Sequence, residues 1–323
     1  MVKKVALIND ISGLGRCSLT AAIPVLAAMG VQPCPVPTAL LSAQTGFADY
    51  YCENCEHILP AFAEKWEKMG VQLDGIFTGF CTDAAQADAM IGFVDRFKRE
   101  GTHVLVDPIL GDDGVTYKFY SDELRERYLA LAERATIITP NLTELCILAG
   151  ADFAALDHAN WDSLQDEIAG ICERLCGSLG HGDMTILVTG IGHGSDDRSD
   201  AGPAGGTDQD DHSQHMMISG STGAATSVFF DEGIDTIATG VYAGGSWTAC
   251  DAPLLPGSFS GTGDLFASVI IAAAVKGYEP ANAVRLAQRF LSAAIKDSID
   301  HNVYPPEGTD FEPHLHLLME DRQ

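Results

Sequence analysis

Ser260-Gly261-Thr262-Gly263-Asp264 runs directly into the apolar stretch LFASVIIAAAV, a pairing of residue types suited to chemistry on a charged group. Small residues leading into a helix leave several backbone N–H groups unpaired at its start. Together with the positive end of the helix dipole, these form an anion site. Asp264 falls in the first turn. It is either a helix-start carboxylate, stabilising by roughly 0.3–1 kcal/mol, or a general base that takes a proton from a substrate hydroxyl while the N–H groups bind charge on a transferred phosphate. Two further carboxylate-bearing fragments each follow a strand-like run. Asp107-Pro108-Ile109-Leu110-Gly111-Asp112 follows HVLV, and Thr139-Pro140-Asn141-Leu142-Thr143-Glu144 follows TIIT. Alone, each reads as a turn with a helix cap. Placed at strand ends of one sheet, their carboxylates can converge near a triphosphate and hold Mg²⁺ through its waters.

A fourth fragment, Asn9-Asp10-Ile11-Ser12-Gly13-Leu14-Gly15-Arg16, lies between a strand-like run and a helical one. Its glycines let the backbone approach a ligand closely. It is not a dinucleotide fingerprint: Ser18 replaces the third glycine, and the stretch where an acidic residue is expected reads QPCPVPTALL. Nine cysteines are scattered through apolar segments, as expected of reduced core thiols. Cys52, Cys55 and His57 stand close together, but a zinc site wants two such ligand pairs. The other close pair, Cys172 and Cys176, lies on a helix-like segment.

The elements that must position these groups alternate. Val5–Ile8, Gly75–Phe80, Val104–Val106, Thr136–Ile138 and Thr185–Val188 are short, apolar and β-branched, which suits strands buried on both faces. Between them run helical stripes, such as Met90, Val94 and Phe97, and later Val284, Ala287, Leu291, Ala294 and Ile295. This rhythm predicts an α/β fold with a central, mostly parallel, doubly wound sheet and helices on both faces. In such sheets ligands bind beyond the carboxyl ends of the strands, where the motifs above fall. Residues 193–215 are acidic and rich in Gly, Ser and Asp, and predict a flexible surface loop within one domain spanning residues 1–323. Strand-like runs resume at Thr226–Phe230 and Thr236–Tyr242.

With 323 residues, 46% of them hydrophobic, the chain can bury a full core, so a mostly disordered chain is excluded. Nineteen Lys and Arg against 45 Asp and Glu give a formal net charge of −26. That argues against non-specific binding to nucleic acid or anionic lipid. The sequence has no apolar run long enough to span a membrane and no signal peptide, and reads as a soluble cytoplasmic protein.

The fragments NDISGLGRCS, LLSAQTGF, FTGFCTDAAQ, VDPILGDDG, TPNLTELCIL, ILVTGI and GTGDLFASVI, in that order, resemble the pyridoxal/pyridoxamine kinases of the ribokinase-like superfamily. The resemblance covers almost the whole chain. It implies a ribokinase-like fold and phosphorylation by MgATP of the 5′-hydroxymethyl group of a B6 vitamer, as in salvage of pyridoxal 5′-phosphate. By resemblance, Asp264 is the catalytic base, and Gly261, Thr262 and Gly263 form the anion hole. Asp10, Ser12 and Thr45 match positions that contact the pyridine substrate, while Gly79 and Phe80 match its wall. Asp107, Thr139, Asn141, Glu144 and Thr189 match the nucleotide site, with Asp107 and Glu144 near Mg²⁺, through water. A homodimer is also implied.

Two features depart from the pattern. Asp10 and Ser12-Gly13 look more like the hydroxymethylpyrimidine kinases of thiamin synthesis, but that branch usually has GTGC where this chain has Asp264. Basic residues are absent from PLLPGSFS, just before GTGD. Phosphate charge is then expected to fall to Mg²⁺, the helix terminus and a monovalent cation such as K⁺. A third reading, from a different class, is a catalytically silent ligand-binding regulator on the same scaffold. The retained Asp264 and glycines argue against it.

Overall fold

A computed structural model describes residues 2–194 and 235–319. The predicted acidic loop beyond Gly194 and the predicted strand at Thr226–Phe230 lie outside the described residues. In chain order the strands are β1 (Lys4–Ser12), β2 (Gln32–Leu41), β3 (Cys52–Asn54), β4 (Gly75–Thr78), β5 (His103–Val106), β6 (Gly111–Asp112), β7 (Val115–Thr116), β8 (Ile137–Ile138), β9 (Thr185–His193), β10 (Thr236–Ala243) and β11 (Ser246–Pro253). The helices are α1 (Ser18–Ala28), α2 (Ile58–Lys68), α3 (Ala84–Phe97), α4 (Asp122–Ala132), α5 (Leu142–Ala149), α6 (Trp161–Leu179), α7 (Thr262–Val275) and α8 (Pro280–Asp300).

Among the described residues, nine strands form one sheet in the order β11-β10-β9-β8-β5-β4-β1-β2-β3. The run from β9 to β2 is parallel, and β3, β10 and β11 are antiparallel additions at its edges. Strand alternation divides the apolar side chains between two layers. Ala6, Ile8, Ile76, Val104, Val106 and Ile138 pack under α2 to α6, while Val5, Leu7, Phe77 and Leu105 pack under α1, α7 and α8. Burial on both faces is why the central strands read as unbroken apolar runs.

The sequence pattern gives no strand over Gln32–Leu41, because proline removes a ladder donor. The chain nevertheless forms β2 there. The Gln32 amide donates to the Lys3 carbonyl, so even-numbered residues carry the donors that face β1. Pro33, Pro35 and Pro37 then turn their missing donors to the outer side, where pairing with β3 begins only at Ala39. The prolines therefore leave the β1 ladder intact and blunt the exposed edge. At the other edge, β10 and β11 form an antiparallel hairpin whose first strand coincides with the predicted run at Thr236–Tyr242.

Candidate active site

The four sequence fragments meet at the carboxyl end of the parallel strands. β1 ends in Asn9–Ser12, and β5 leads into Asp107. β8 leads to Asn141, whose side chain caps α5 by accepting from the Glu144 amide at 2.8 Å. The Glu144 carboxylate answers by accepting from the Asn141 amide at 2.9 Å, completing a capping box. Its other oxygen accepts from the Leu110 amide at 3.1 Å. Thr189, on β9, is tied in by the bond from its amide to the Pro140 carbonyl.

Gly261 is the N-cap of α7 and has φ 82°. That left-handed conformation favours glycine, and a Cβ there would lie 2.1 Å from the Arg16 carbonyl oxygen. The absent side chain lets the loop before α1 close over the start of α7. Asp264, one turn in, then comes within 2.9 Å of the Asn9 carboxamide, which donates to it from 255 residues away.

Two cavities converge on this point. The larger, about 230 Å³, is lined by Asp107, Thr139, Asn141, Glu144, Thr189, Gly261, Thr262, Gly263 and Asp264, with an apolar end that includes Ile237, Leu291 and Ile295. The smaller, about 90 Å³, is lined by Asp10, Ser12, Thr45, Phe80 and Asp264. Gly261, Asp264, Ile109 and Tyr117 line both. Asp264 stands at the junction.

Gly79, next to Phe80, is not among the residues lining either cavity. A Cβ at Gly79 would lie 2.6 Å from the Asn9 Nδ2. Its bare Cα makes room for Asn9, and Phe80 alone of that pair forms wall. The smaller cavity also gathers residues that sequence patterns left without a role: Cys17, Ser18, Gln44, Tyr117, Phe119 and Ser260. Phe80 and Phe119 meet edge to face at 5.5 Å, giving an aromatic side to the cavity. Gln44 donates to the Ser260 hydroxyl and to the Pro306 carbonyl, and accepts from the Gly46 amide, so its amide is fully engaged. The Tyr117 hydroxyl is buried and has no hydrogen-bond partner among the described residues. Ser18 offered one sequence signal, since it replaces an expected glycine. It has φ 48°, a left-handed conformation, and its hydroxyl donates to Asp10 at 2.6 Å.

The electrostatics are dominated by carboxylates. No Lys, Arg or His is among the described residues lining either cavity. Burial pushes Asp264 up to about 7, reinforced by the negative charges of Asp10 and Asp107 and opposed by hydrogen bonds from the Ser18 backbone and Asn9. Burial also raises Asp107 to about 6, against the hydrogen bond from Thr139. Asp112, which lines the larger cavity, is raised to about 7 by burial and then by Asp113. Burial and the nearby Asp107 hold Glu144 well above the usual carboxylate range, and burial raises Asp10.

Such a set suits a hard cation with oxygen ligands. Among the described residues, however, no three His, Cys, Asp or Glu side chains are gathered closely enough to hold a metal ion by themselves. The fit is therefore to an ion that takes one or two protein carboxylates and completes its shell with phosphate oxygens and water. The same observation covers Cys52, Cys55 and His57: Cys52 is exposed on β3 while Cys55 is buried.

Comparison with known proteins places this geometry. A family profile for phosphomethylpyrimidine kinase matches residues 209–306. A protein from Bacteroides thetaiotaomicron, provisionally assigned as a phosphomethylpyrimidine kinase, is 28% identical, with 98% of this chain and 94% of that chain covered and a TM-score of 0.79. Its orthorhombic crystal form, with pyridoxal, superposes over 98% of this chain and 96% of that one, with a TM-score of 0.78. Pyridoxal kinase from Lactobacillus plantarum shares the fold at 22% identity, with 99% and 97% covered and a TM-score of 0.77. A phosphotransferase of ribokinase-like fold is thus the class that fold and site define. Over nearly its whole length the chain is similar to proteins described as phosphomethylpyrimidine and pyridoxal kinases.

Proposed function

We propose that the protein transfers the γ-phosphoryl group of ATP to the 5′-hydroxymethyl group of a B6 vitamer, in salvage of pyridoxal 5′-phosphate. The observation that carries this reading is the position of Asp264 and Gly261 at the junction of two cavities. The larger takes the nucleotide: its apolar end receives the base, and Thr139, Asn141 and Thr189 face the phosphates. The smaller takes the alcohol, its flat ring against Phe80 and Phe119 and its polar edge toward Asp10, Ser12 and Thr45.

Asp264 accepts the hydroxyl proton as that oxygen attacks the γ-phosphorus. The P–O bond to the β-phosphate breaks, ADP leaves, and the backbone N–H groups of Gly261, Thr262 and Gly263 bind charge on the transferred phosphoryl. Mg²⁺, when bound with ATP, neutralises phosphate charge; Asp107 and Glu144 would hold it through water, with Asp112 near. K⁺ would add to that neutralisation. We also propose a cytoplasmic location and, from the family resemblance, a homodimer. Among the described residues no helix is long and apolar enough to cross a membrane.

Supporting the B6 reading are the aspartate in GTGD and the relative that holds pyridoxal. A hydroxymethylpyrimidine acceptor is the second reading, favoured by Asp10 and by the family profile over residues 209–306. Asp264→Asn tests the mechanism common to both. It should lower kcat by on the order of 10²–10⁴, the worth of a general base, with KM for both substrates nearly kept. Turnover within a few-fold of wild type would remove Asp264 from that role.

A further inference from the structure

Asn9 has no place in the reaction described so far, yet its buried side chain, together with the Ser18 backbone, holds Asp264 by a hydrogen bond. Its side-chain oxygen accepts two backbone donors, the Asp10 amide at 3.0 Å and the Phe80 amide at 2.9 Å. Two N–H donors on one oxygen fix which end of the carboxamide is which. The Nδ2 group is thereby turned away from those amides and toward Asp264, and it donates to Asp264 Oδ1 at 2.9 Å. Asn9 is 1% exposed, so water does not compete for these bonds. The packing is built around it: Gly79 lacks the Cβ that would lie 2.6 Å from Nδ2. The two amides that orient Asn9 belong to Asp10 and Phe80, which line the smaller cavity. Asn9 thus joins the wall of the alcohol site to the base.

We propose that Asn9 is a positioning residue for phosphoryl transfer: its carboxamide holds Asp264 Oδ1 as an acceptor and so fixes the orientation in which the carboxylate takes the proton of the substrate hydroxyl. The role rests on the phosphoryl-transfer reading above and adds to it a fixed orientation of the base. A carboxylate free to rotate would present either oxygen at varying angles, and misplacement of about 1 Å is worth about 10² in rate. The bond also stabilises the ionised form of Asp264, because a carboxamide N–H donates best to a charged oxygen. Asp10, Asp107 and Cys17 face Asp264 from the neighbouring elements and bring no compensating positive charge.

The test is kinetic. Asn9→Asp keeps the shape and both accepted amide bonds. It replaces the donor to Asp264 by a carboxylate oxygen and adds a negative charge beside it, so the pH profile of kcat/KM should also move to higher pH. The variant should lower kcat between about ten-fold and a hundred-fold with KM for MgATP and alcohol within about three-fold. In an Asp264→Asn background it should change kcat by less than two-fold, because the residue acts through Asp264. Gly79→Ala displaces Asn9 without altering it; it should show the same split, and it serves as the readout if Asn9→Asp does not fold. A kcat within two-fold of wild type in the folded variant overturns the role, as does a full additional loss in the double variant or a rise in KM alone. Wild-type protein that phosphorylates no alcohol, or Asp264→Asn with near-normal turnover, overturns instead the proposed function, and this role with it.

Discussion

At the residue scale, burial sets the chemistry of Asp264. A carboxylate at about 7 is half ionised at neutral pH, well matched to taking a hydroxyl proton. The acidic form is inactive as a base, so activity must be lost as pH falls. We expect kcat/KM to rise with unit slope up to about pH 7 and level off above it, measured with MgATP between pH 5.5 and 8.5. A profile flat across that range would contradict the assignment. Asp264 was legible in the sequence because GTGD directly precedes an apolar helix, so its local setting carries the signal. Asn9 was not, because its partners lie 71 and 255 residues away. The contact of Gly79 with Asn9 was hidden for the same reason, since its bare Cα serves a side chain on another strand.

At the scale of elements, the site depends on the start of α7 fitting against the loop that precedes α1. Gly261→Ala places a Cβ 2.1 Å from the Arg16 carbonyl oxygen, in a backbone conformation with φ 82°. The conformation alone costs on the order of 1–3 kcal/mol, and the contact adds to it. Thermal denaturation should show a lowered midpoint, and kcat should fall at least ten-fold because the N–H groups before Asp264 shift. An unchanged midpoint with normal kcat would mean that α7 is not held at this contact. The helices and central strands were legible from periodicity. β2 was obscured by Pro33, Pro35 and Pro37, whose spacing of two sends every missing donor to the outer edge. Only the position of β1 beside it reveals that the prolines are harmless.

At the scale of the molecule, charge is the limiting feature. The formal net charge is −26, and Asp107, Asp112 and Asp264 sit in one region with values raised to about 6, 7 and 7. A folded-state value above the unfolded one favours folding below the unfolded value, near pH 4. That contribution is lost as pH rises through the folded value. The ligand-free protein should therefore lose thermal stability between about pH 4 and 7, and MgCl₂ with ATP should restore it more at pH 7.5 than at pH 5.5. A midpoint that rises steadily to pH 7.5 without ligands would contradict the raised values. The alternation of strands and helices made the layered architecture legible. The convergence of the motifs was inferred from strand ends, but the division into two cavities joined at Asp264 needed the folded chain.

The identity of the alcohol decides what the protein does. Purified protein would be incubated with MgATP and an equimolar mixture of pyridoxal, pyridoxine, pyridoxamine and hydroxymethylpyrimidine, and the products resolved by mass. A B6 vitamer should gain a phosphate group, and the most rapidly consumed vitamer names the preferred substrate. Phosphate appearing on the pyrimidine alone would contradict it, and would show that Asp10, rather than the aspartate of GTGD, marks the acceptor.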